Sequence, residues 1–368
     1  MRLRAVELRR VALTLRTRFT TSSGIEHDRD ILLVRAFTDA GEGWGECCAL
    51  SAPLYTSEYV DGAHAVLRDH LLPRLLAAGE VPAAGVAPLL RPVRGHRMAK
   101  AAIEMAVLDA ELRASGTSFA RRLGGVRASV DCGVSIGIPD GVPALLREVE
   151  GYLADGYRRI KLKIEPGWDV EPVRAVREAF GPDLLLQVDA NSAYTLADVP
   201  RLQALDEHGL LLIEQPLPEE QLRAHAELAA QLATPVCLDE SIVSAQSAAD
   251  AIALGACSIV NVKPARVGGY LEALRVHDVC QAGGVPVWCG GMLETGLGRA
   301  GNVALASLPG FTLPGDLSAS DRYYAEDLTE PFRLEEGRLR VPSGPGLGVS
   351  VDGARLARAT TTVERIGA

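Results

Sequence analysis

No run of apolar residues in this sequence approaches the roughly 20 needed to cross a bilayer. The opening MRLRAVELRRVALTL alternates charged and apolar residues and lacks the unbroken apolar stretch of a secretory signal. Neither membrane insertion nor export is expected, and a cytoplasmic location is. A basic surplus is also missing: 38 Lys and Arg face 47 Asp and Glu, a net charge of -9. That balance argues against a nucleic-acid footprint, so any anionic ligand must be held by a few local cations. The seven cysteines (Cys47, Cys48, Cys132, Cys237, Cys257, Cys280, Cys289) are odd in number and show no repeated Cys-x-x-Cys. They read as reduced thiols and suggest no zinc site. The seven histidines, His225 and His277 among them, fall at no ligand spacing, and surface or capping roles are expected of them.

What the chain does have is size and rhythm. Its 368 residues, 48% hydrophobic and 23% charged, suit a soluble globular protein with room for a barrel and a cap. Apolar runs of strand length recur at residues 129–138, 158–165, 184–191, 210–217, 235–241, 258–266, 285–292 and 311–317. Between them lie segments with helical spacing, such as VPALLREVEGYLADG and GGYLEALRVHDVCQAGG, several ending at a glycine suited to a C-cap. Alternating helices and near-continuous apolar strands imply parallel pairing, and eight such strands close a barrel. No comparable helix follows the last run, so the expected fold is α/β, a (β/α)7β barrel over residues 129–319. Residues 1–128 lack this rhythm. VELRRVALTL and RDILLVRAFTDAGEGWGECC read as strands, HRMAKAAIEMAVLDAELRA as a helix, and the short strands of the tail return to them. An α+β cap of residues 1–128 completed by 320–368 is expected.

In such barrels the C-terminal ends of the strands carry the chemistry. Asp189, Glu214 and Asp239 each end an apolar run, one βα unit apart. A strand-end acid can simply cap a helix. Three converging carboxylates, however, need a cation between them, and oxygen donors without thiolate or imidazole favour Mg²⁺ or Mn²⁺. In RRIKLKIE, Lys161 and Lys163 share one face of a strand, since side chains alternate with period two. Lys263 ends the sixth strand, across the ring from the second. A free lysine is a poor base near neutrality, but burial and a neighbouring cation lower its pKa. Lys161 is placed to do this for Lys163, and Arg266 for Lys263.

KLKIEPGWD, VDANSAYTL, IEQPL, CLDESI, VNVKPARVGG and WCGGMLETGLGRAGNVALASLP together resemble the enolase superfamily. Within its muconate-lactonizing subgroup they are similar to the N-succinylamino acid racemase and o-succinylbenzoate synthase family, and GEGWGE and PLYTSEY resemble its capping region. The resemblance runs nearly end to end. It implies metal ligation by Asp189, Glu214 and Asp239, acid/base roles for Lys163 and Lys263, and assistance from Lys161 at the substrate carboxylate. Ser135, Asn191, Gly291 and Met292 match positions that line the substrate in relatives, with Arg266 and Glu240 behind them. Mg²⁺ would stabilise the enediolate left when a proton α to a carboxylate departs. The implied partner is a small carboxylate: an N-succinyl or other N-acylamino acid, or the o-succinylbenzoate precursor of menaquinone synthesis. The implied assembly is a homo-oligomer, an octamer or a dimer.

Relatives commonly have an Arg-Thr-Ser-Phe/Tyr-Gly-like stretch in the first cap loop, where this chain has RFTTSSGIEHDRD with Ser23 in the aromatic position. That leaves the preferred substrate side chain open. GLGRAG (296–301) satisfies a dinucleotide-binding pattern but lies in an expected helix without a strand before it, so no such site is expected. Asp316 ends the eighth run without the Asp-x-Asp of dipeptide epimerases. A dipeptide epimerase, a muconate-type cycloisomerase and an inactive barrel scaffold are the alternatives.

Overall fold

A computed structural model describes residues 1–22 and 24–367. Ser23 therefore lies outside the described residues. Strands β1 (Leu3–Thr21), β2 (Gly24–Thr38) and β3 (Gly41–Cys47) form an antiparallel meander. The helix Arg97–Ser115 lies against it. Its approach explains GEGWGE: a Cβ on Gly43 would sit 2.2 Å from Ala106 O, and one on Gly45 2.0 Å from Ala102 O. Only glycine admits that contact. Ile31–Val34 of β2 are wholly buried, and the helix adds Met98, Ala102, Ile103, Met105 and Ala106 to the same core. The segment read as a cap loop is a continuation of β1 and β2. The two strands pair out to Thr21↔Gly24, making a long hairpin arm.

The next expected strand divides. β4 (Ser129–Asp131) turns away, and only β5 (Gly133–Ile136) enters the parallel sheet. That sheet continues with β6 (Arg159–Lys163), β7 (Leu185–Asp189), β8 (Ile213–Glu214), β9 (Val236–Leu238), β10 (Ile259–Val262) and β11 (Val287–Cys289), neighbours following chain order. Each is followed by helix, among them Val142–Ala154, Val170–Phe180, Ala245–Leu254, Tyr270–Ala282 and Gly296–Ala306. These are the seven expected βα units.

The eighth run, 311–317, forms only isolated bridges, Phe311 to Val287 and Gly315 to Cys132. Pro314 has no N–H to give a ladder, so a regular strand cannot persist there. The ring closes all the same: Thr312 N donates to Val287 O (3.2 Å), Asp316 N to Cys289 O (2.9 Å) and Gly133 N to Gly315 O (2.8 Å). β12 (Arg338–Arg340) pairs with β4, and β13 (Thr360–Gly367) returns to the outer edge of β1. Among the described residues no helix is long and apolar enough to cross a membrane.

Candidate active site

Register brings the expected residues together. Ser135 of β5 lies beside Lys161 of β6. Lys163 lies beside Asp189 of β7, Asp189 beside Glu214 of β8, and Glu214 beside Cys237 of β9. Neighbours in a parallel ladder point the same way, so Lys163, Asp189 and Glu214 form one inward row. Asp239, two residues beyond Cys237, keeps to that face. Lys263 follows β10 at the start of a one-turn helix, Pro264–Val267, whose proline ends the strand. It stands four places around the ring from β6. All six of these charged side chains are buried.

Their contacts answer why two lysines share one strand face. Lys161 Nζ reaches Asp316 Oδ2 (2.5 Å), Glu214 Oε2 (2.9 Å) and Asp189 Oδ2 (3.0 Å). Lys163 Nζ turns instead to Asp189 Oδ2 (2.6 Å) and Asn191 Oδ1 (2.5 Å). Lys263 Nζ donates to Asp239 Oδ2 (2.7 Å) and to Tyr55 Oη (2.9 Å). A lowered pKa was expected at Lys263, and there the opposite holds; the ammonium of Lys161 is held up as well. Burial does push Lys161 down, but Asp189, Asp316 and Glu214 outweigh it and hold the ammonium above the ordinary lysine range. Burial likewise opposes, and Tyr55, Glu240 and Glu214 overcome, at Lys263.

Arg266 also departs from expectation. It forms a close ion pair with Asp239 Oδ1, and donates from Nε to Ile242 O (2.9 Å) and from Nη2 to Asn261 O (2.7 Å). It therefore braces the acid that Lys263 binds and is not the cation that lowers Lys263. Glu240 Oε1 accepts from Asn191 Nδ2 (2.8 Å), while its Oε2 is buried without a hydrogen-bond partner. Burial, then Asp189, pushes Glu240 up to about 7.

Above this cluster opens a partly enclosed cavity. Ser135, Lys161, Lys163, Asn191, Lys263, Gly291 and Met292 line it, and Ser135 Oγ is buried with no hydrogen-bond partner. Asp189, Glu214, Asp239, Glu240 and Arg266 stand behind them. Phe19, Thr21 and Gly24 of the hairpin arm, Tyr55 of the loop after β3, Asp316 and Tyr323 also form part of the wall.

Residues 4–124 match the mandelate racemase/muconate lactonizing enzyme N-terminal domain, and residues 144–355 the enolase C-terminal domain-like family. The chain belongs to the enolase superfamily. It is similar to an N-succinylamino acid racemase from an Amycolatopsis species, 66% identical over 367 residues and covering 100% of each chain. It is also 47% identical over 357 residues to the o-succinylbenzoate synthase of Geobacillus kaustophilus, covering 96% of this chain and 95% of that one. An enolase-superfamily structure from Listeria innocua superposes with a TM-score of 0.95 at 40% identity, over 100% of this chain and 99% of that one.

Enolase-superfamily membership suggests a divalent metal, and the residues present can be tested for it. Among the described residues, no three His, Cys, Asp or Glu side chains are drawn together as a finished metal cluster. The lysine ammonium groups meet the carboxylates instead. The donor set nonetheless fits: three buried carboxylates on consecutive strands, two of them adjacent in register, with oxygen donors suited to a hard cation. Burial raises Glu214, with Asp189 next in effect, whereas Lys161 and Lys163 overcome burial to hold Asp189 well below the usual range. These acids depend on nearby positive charge.

Two polar residues of the site were missed. Tyr55 Oη contacts Asp239 Oδ2 (3.2 Å) as well as Lys263, and Asp316 carries Lys161 on one oxygen and Arg159 Nη1 (2.6 Å) on the other. The strand-end position of Asp316 was a usable signal; for Tyr55 the only one was its place in PLYTSEY.

The residues set aside stay outside the site. GLGRAG falls in the helix Gly296–Ala306, and the amides of Thr295 and Gly298 at its start donate to the Glu46 carboxylate (both 3.0 Å), which takes the place a phosphate would need. His225 and His277 are buried and accept backbone N–H bonds from Leu217 (3.2 Å) and Gly310 (3.1 Å).

Proposed function

We propose that this chain removes the proton α to the carboxylate of an N-succinyl or other N-acylamino acid and returns it to either face, racemising the substrate. We further propose that the same site dehydrates the o-succinylbenzoate precursor. One observation carries the reading: two amines on opposite sides of the ring, Lys163 and Lys263, open into one cavity above buried acids. The relatives named above, an isomerase and a lyase, support it.

Lys163 takes the proton from one face, Lys263 delivers one to the other, and for the opposite enantiomer the two exchange duties. In the dehydration Lys163 acts first as base and then as acid, while Lys263 remains protonated beside the anion. Lys161 holds the substrate carboxylate. Ser135, Asn191, Gly291 and Met292 position the rest of the substrate, and the unsatisfied Ser135 hydroxyl supplies a hydrogen bond. Asp189, Glu214 and Asp239 would hold Mg²⁺, with Mn²⁺ able to substitute, and the cation would supply positive charge beside the substrate carboxylate. Arg266 keeps Asp239 in place, and Glu240 keeps Asn191.

The division into a cap of residues 1–128 with 320–368 and a barrel of 129–319 belongs to the same proposal, supported by the return of β13 to β1. So do a cytoplasmic homo-oligomer and a small-carboxylate partner. The test is ¹H NMR of an N-succinyl-L-amino acid in D₂O with Mg²⁺. Loss of the α-proton signal together with loss of optical rotation is expected. An α-proton that survives prolonged incubation would leave the inactive-scaffold alternative standing.

A further inference from the structure

A buried arginine outside the acid and amine cluster joins three parts of the cavity wall. Arg322 ends the short 3-10 turn Ser320–Arg322 and is 8% exposed. Its Nη1 donates to Thr17 Oγ1 on the β1 arm (3.1 Å), and its Nη2 to the backbone oxygen of Ser135 at the mouth of β5 (3.1 Å). The guanidinium lies over the rings of Tyr152 (5.0 Å), Tyr323 (5.2 Å) and Phe19 (6.0 Å). Phe19, Ser135 and Tyr323 all line the substrate cavity. One planar fork therefore fixes the arm, the end of a barrel strand and an aromatic wall against one another.

Burying a cation this way is costly. Arg322 Nε has no hydrogen-bond partner, and the nearby Glu148 carboxylate, kept below where burial alone would put it by Arg322, makes no ion pair with it. The arm is also tied by the backbone bonds Arg16 N to Tyr323 O (2.8 Å) and Ile138 N to Thr20 O (3.0 Å), and by the side chains of Arg16 to Asp321 O (3.0 Å), Arg18 to the exposed Asp140 and Ser22 to Ala190 O (3.3 Å). Those fix its path. They do not set the Phe19 ring, whose face is met by the guanidinium.

We propose that Arg322 is a positioning residue that clamps the β1–β2 arm over the cavity and thereby sets how tightly the N-acylamino acid is held. The inference rests on the functional reading above and deepens it. Arg322 touches neither the amines nor the acids, so its loss changes binding more than proton transfer. Lysine keeps the charge but cannot span two acceptors with a rigid fork.

The test uses Arg322→Met, Arg322→Lys and Thr17→Val, with steady-state racemisation and amide hydrogen exchange of the substrate-free protein. Arg322→Met is expected to raise KM by about tenfold, the size of one lost charged hydrogen bond, with kcat within about threefold. Arg322→Lys should fall between it and the wild type, and Thr17→Val should raise KM by a few fold. Exchange should quicken in residues 13–22 and 24–30 while the barrel strands keep their protection. A fall in kcat at constant KM, or arm exchange unchanged in the variants, overturns the proposal. Should Arg322→Met not fold, Thr17→Val reads the same contact, and unchanged exchange there is equally decisive against it. A wild-type protein inert towards every N-acylamino acid would refute the functional reading, whereas the exchange measurement would still judge the clamp.

Discussion

The two lysines differ in their surroundings, and that difference is testable. Lys163 is held by Asp189 and Asn191, Lys263 by Asp239 and Tyr55. If each serves one face, removing either abolishes racemisation but leaves exchange on the other side. Lys163→Ala and Lys263→Ala should each lower racemisation by about 10²- to 10⁴-fold. Each should also still wash deuterium into one enantiomer, the opposite one in the two variants, as ¹H NMR would record. If both variants exchanged the same enantiomer, the two-faced assignment would be lost. The carboxylates beneath make a second demand. EDTA should silence turnover and Mg²⁺ or Mn²⁺ restore it, and full activity after exhaustive chelation would show that the trio serves only to pair with amines. At this scale the sequence was readable wherever position along a strand sets direction: Lys161, Lys163, Asp189, Glu214 and Asp239 all point inward as period two requires. It was unreadable where a contact closes over a long separation. Tyr55 meets Lys263 across 208 residues, and no local spacing announces that. The charge state of Lys263 was misjudged for a related reason, because it was weighed against Arg266 and not against Tyr55, Glu240 and Glu214.

Among the elements, the seven parallel strands were legible because strands buried on both faces are written as near-continuous apolar runs. The eighth run passed the same test and failed as a strand, since Pro314 removes a ladder donor. The hairpin arm failed in the other direction. The resemblance made it a cap loop, yet pairing with the rest of β1 and β2 carries it out as sheet as far as Thr21↔Gly24. The contact of β3 with the helix Arg97–Ser115 is fixed by close approach and yields the next prediction. In Gly45→Ala the new methyl would meet Ala102 O at 2.0 Å, and backbone is the wall that gives least. A loss of about 1 to 3 kcal/mol is expected, an overpacking cost, visible as a lowered denaturant midpoint with an unchanged slope. An unaltered midpoint would mean that the helix can slide on the sheet, and the explanation of GEGWGE would fail.

For the molecule as a whole, the joint between the N-terminal helix and the parallel barrel is chemical as well as steric. Glu104, wholly buried on the helix Arg97–Ser115, accepts a bond from Leu271 N (3.1 Å) at the start of the barrel helix Tyr270–Ala282. Burial pushes its carboxyl up to about 8, against the pull of the backbone donors. In the unfolded chain the same group titrates near about 4.3. Between those values the folded state holds the proton and the unfolded state releases it, so stability falls as pH rises. The contribution is complete below the unfolded value and is lost as pH climbs through about 8. Glu104→Gln fixes the neutral form and keeps an oxygen for Leu271 N. Wild type and variant should therefore melt within a few degrees of each other at acid pH. From there to alkaline pH the wild type should lose ground steadily, by at most about 1.4 kcal/mol per pH unit. Circular dichroism melts across that range, at constant Mg²⁺, give the comparison. Two curves that run parallel would mean Glu104 is ionised throughout, held by the helix N-terminus more strongly than burial opposes it. The joint would then be an ion-to-dipole contact, and its strength would depend on salt instead of pH.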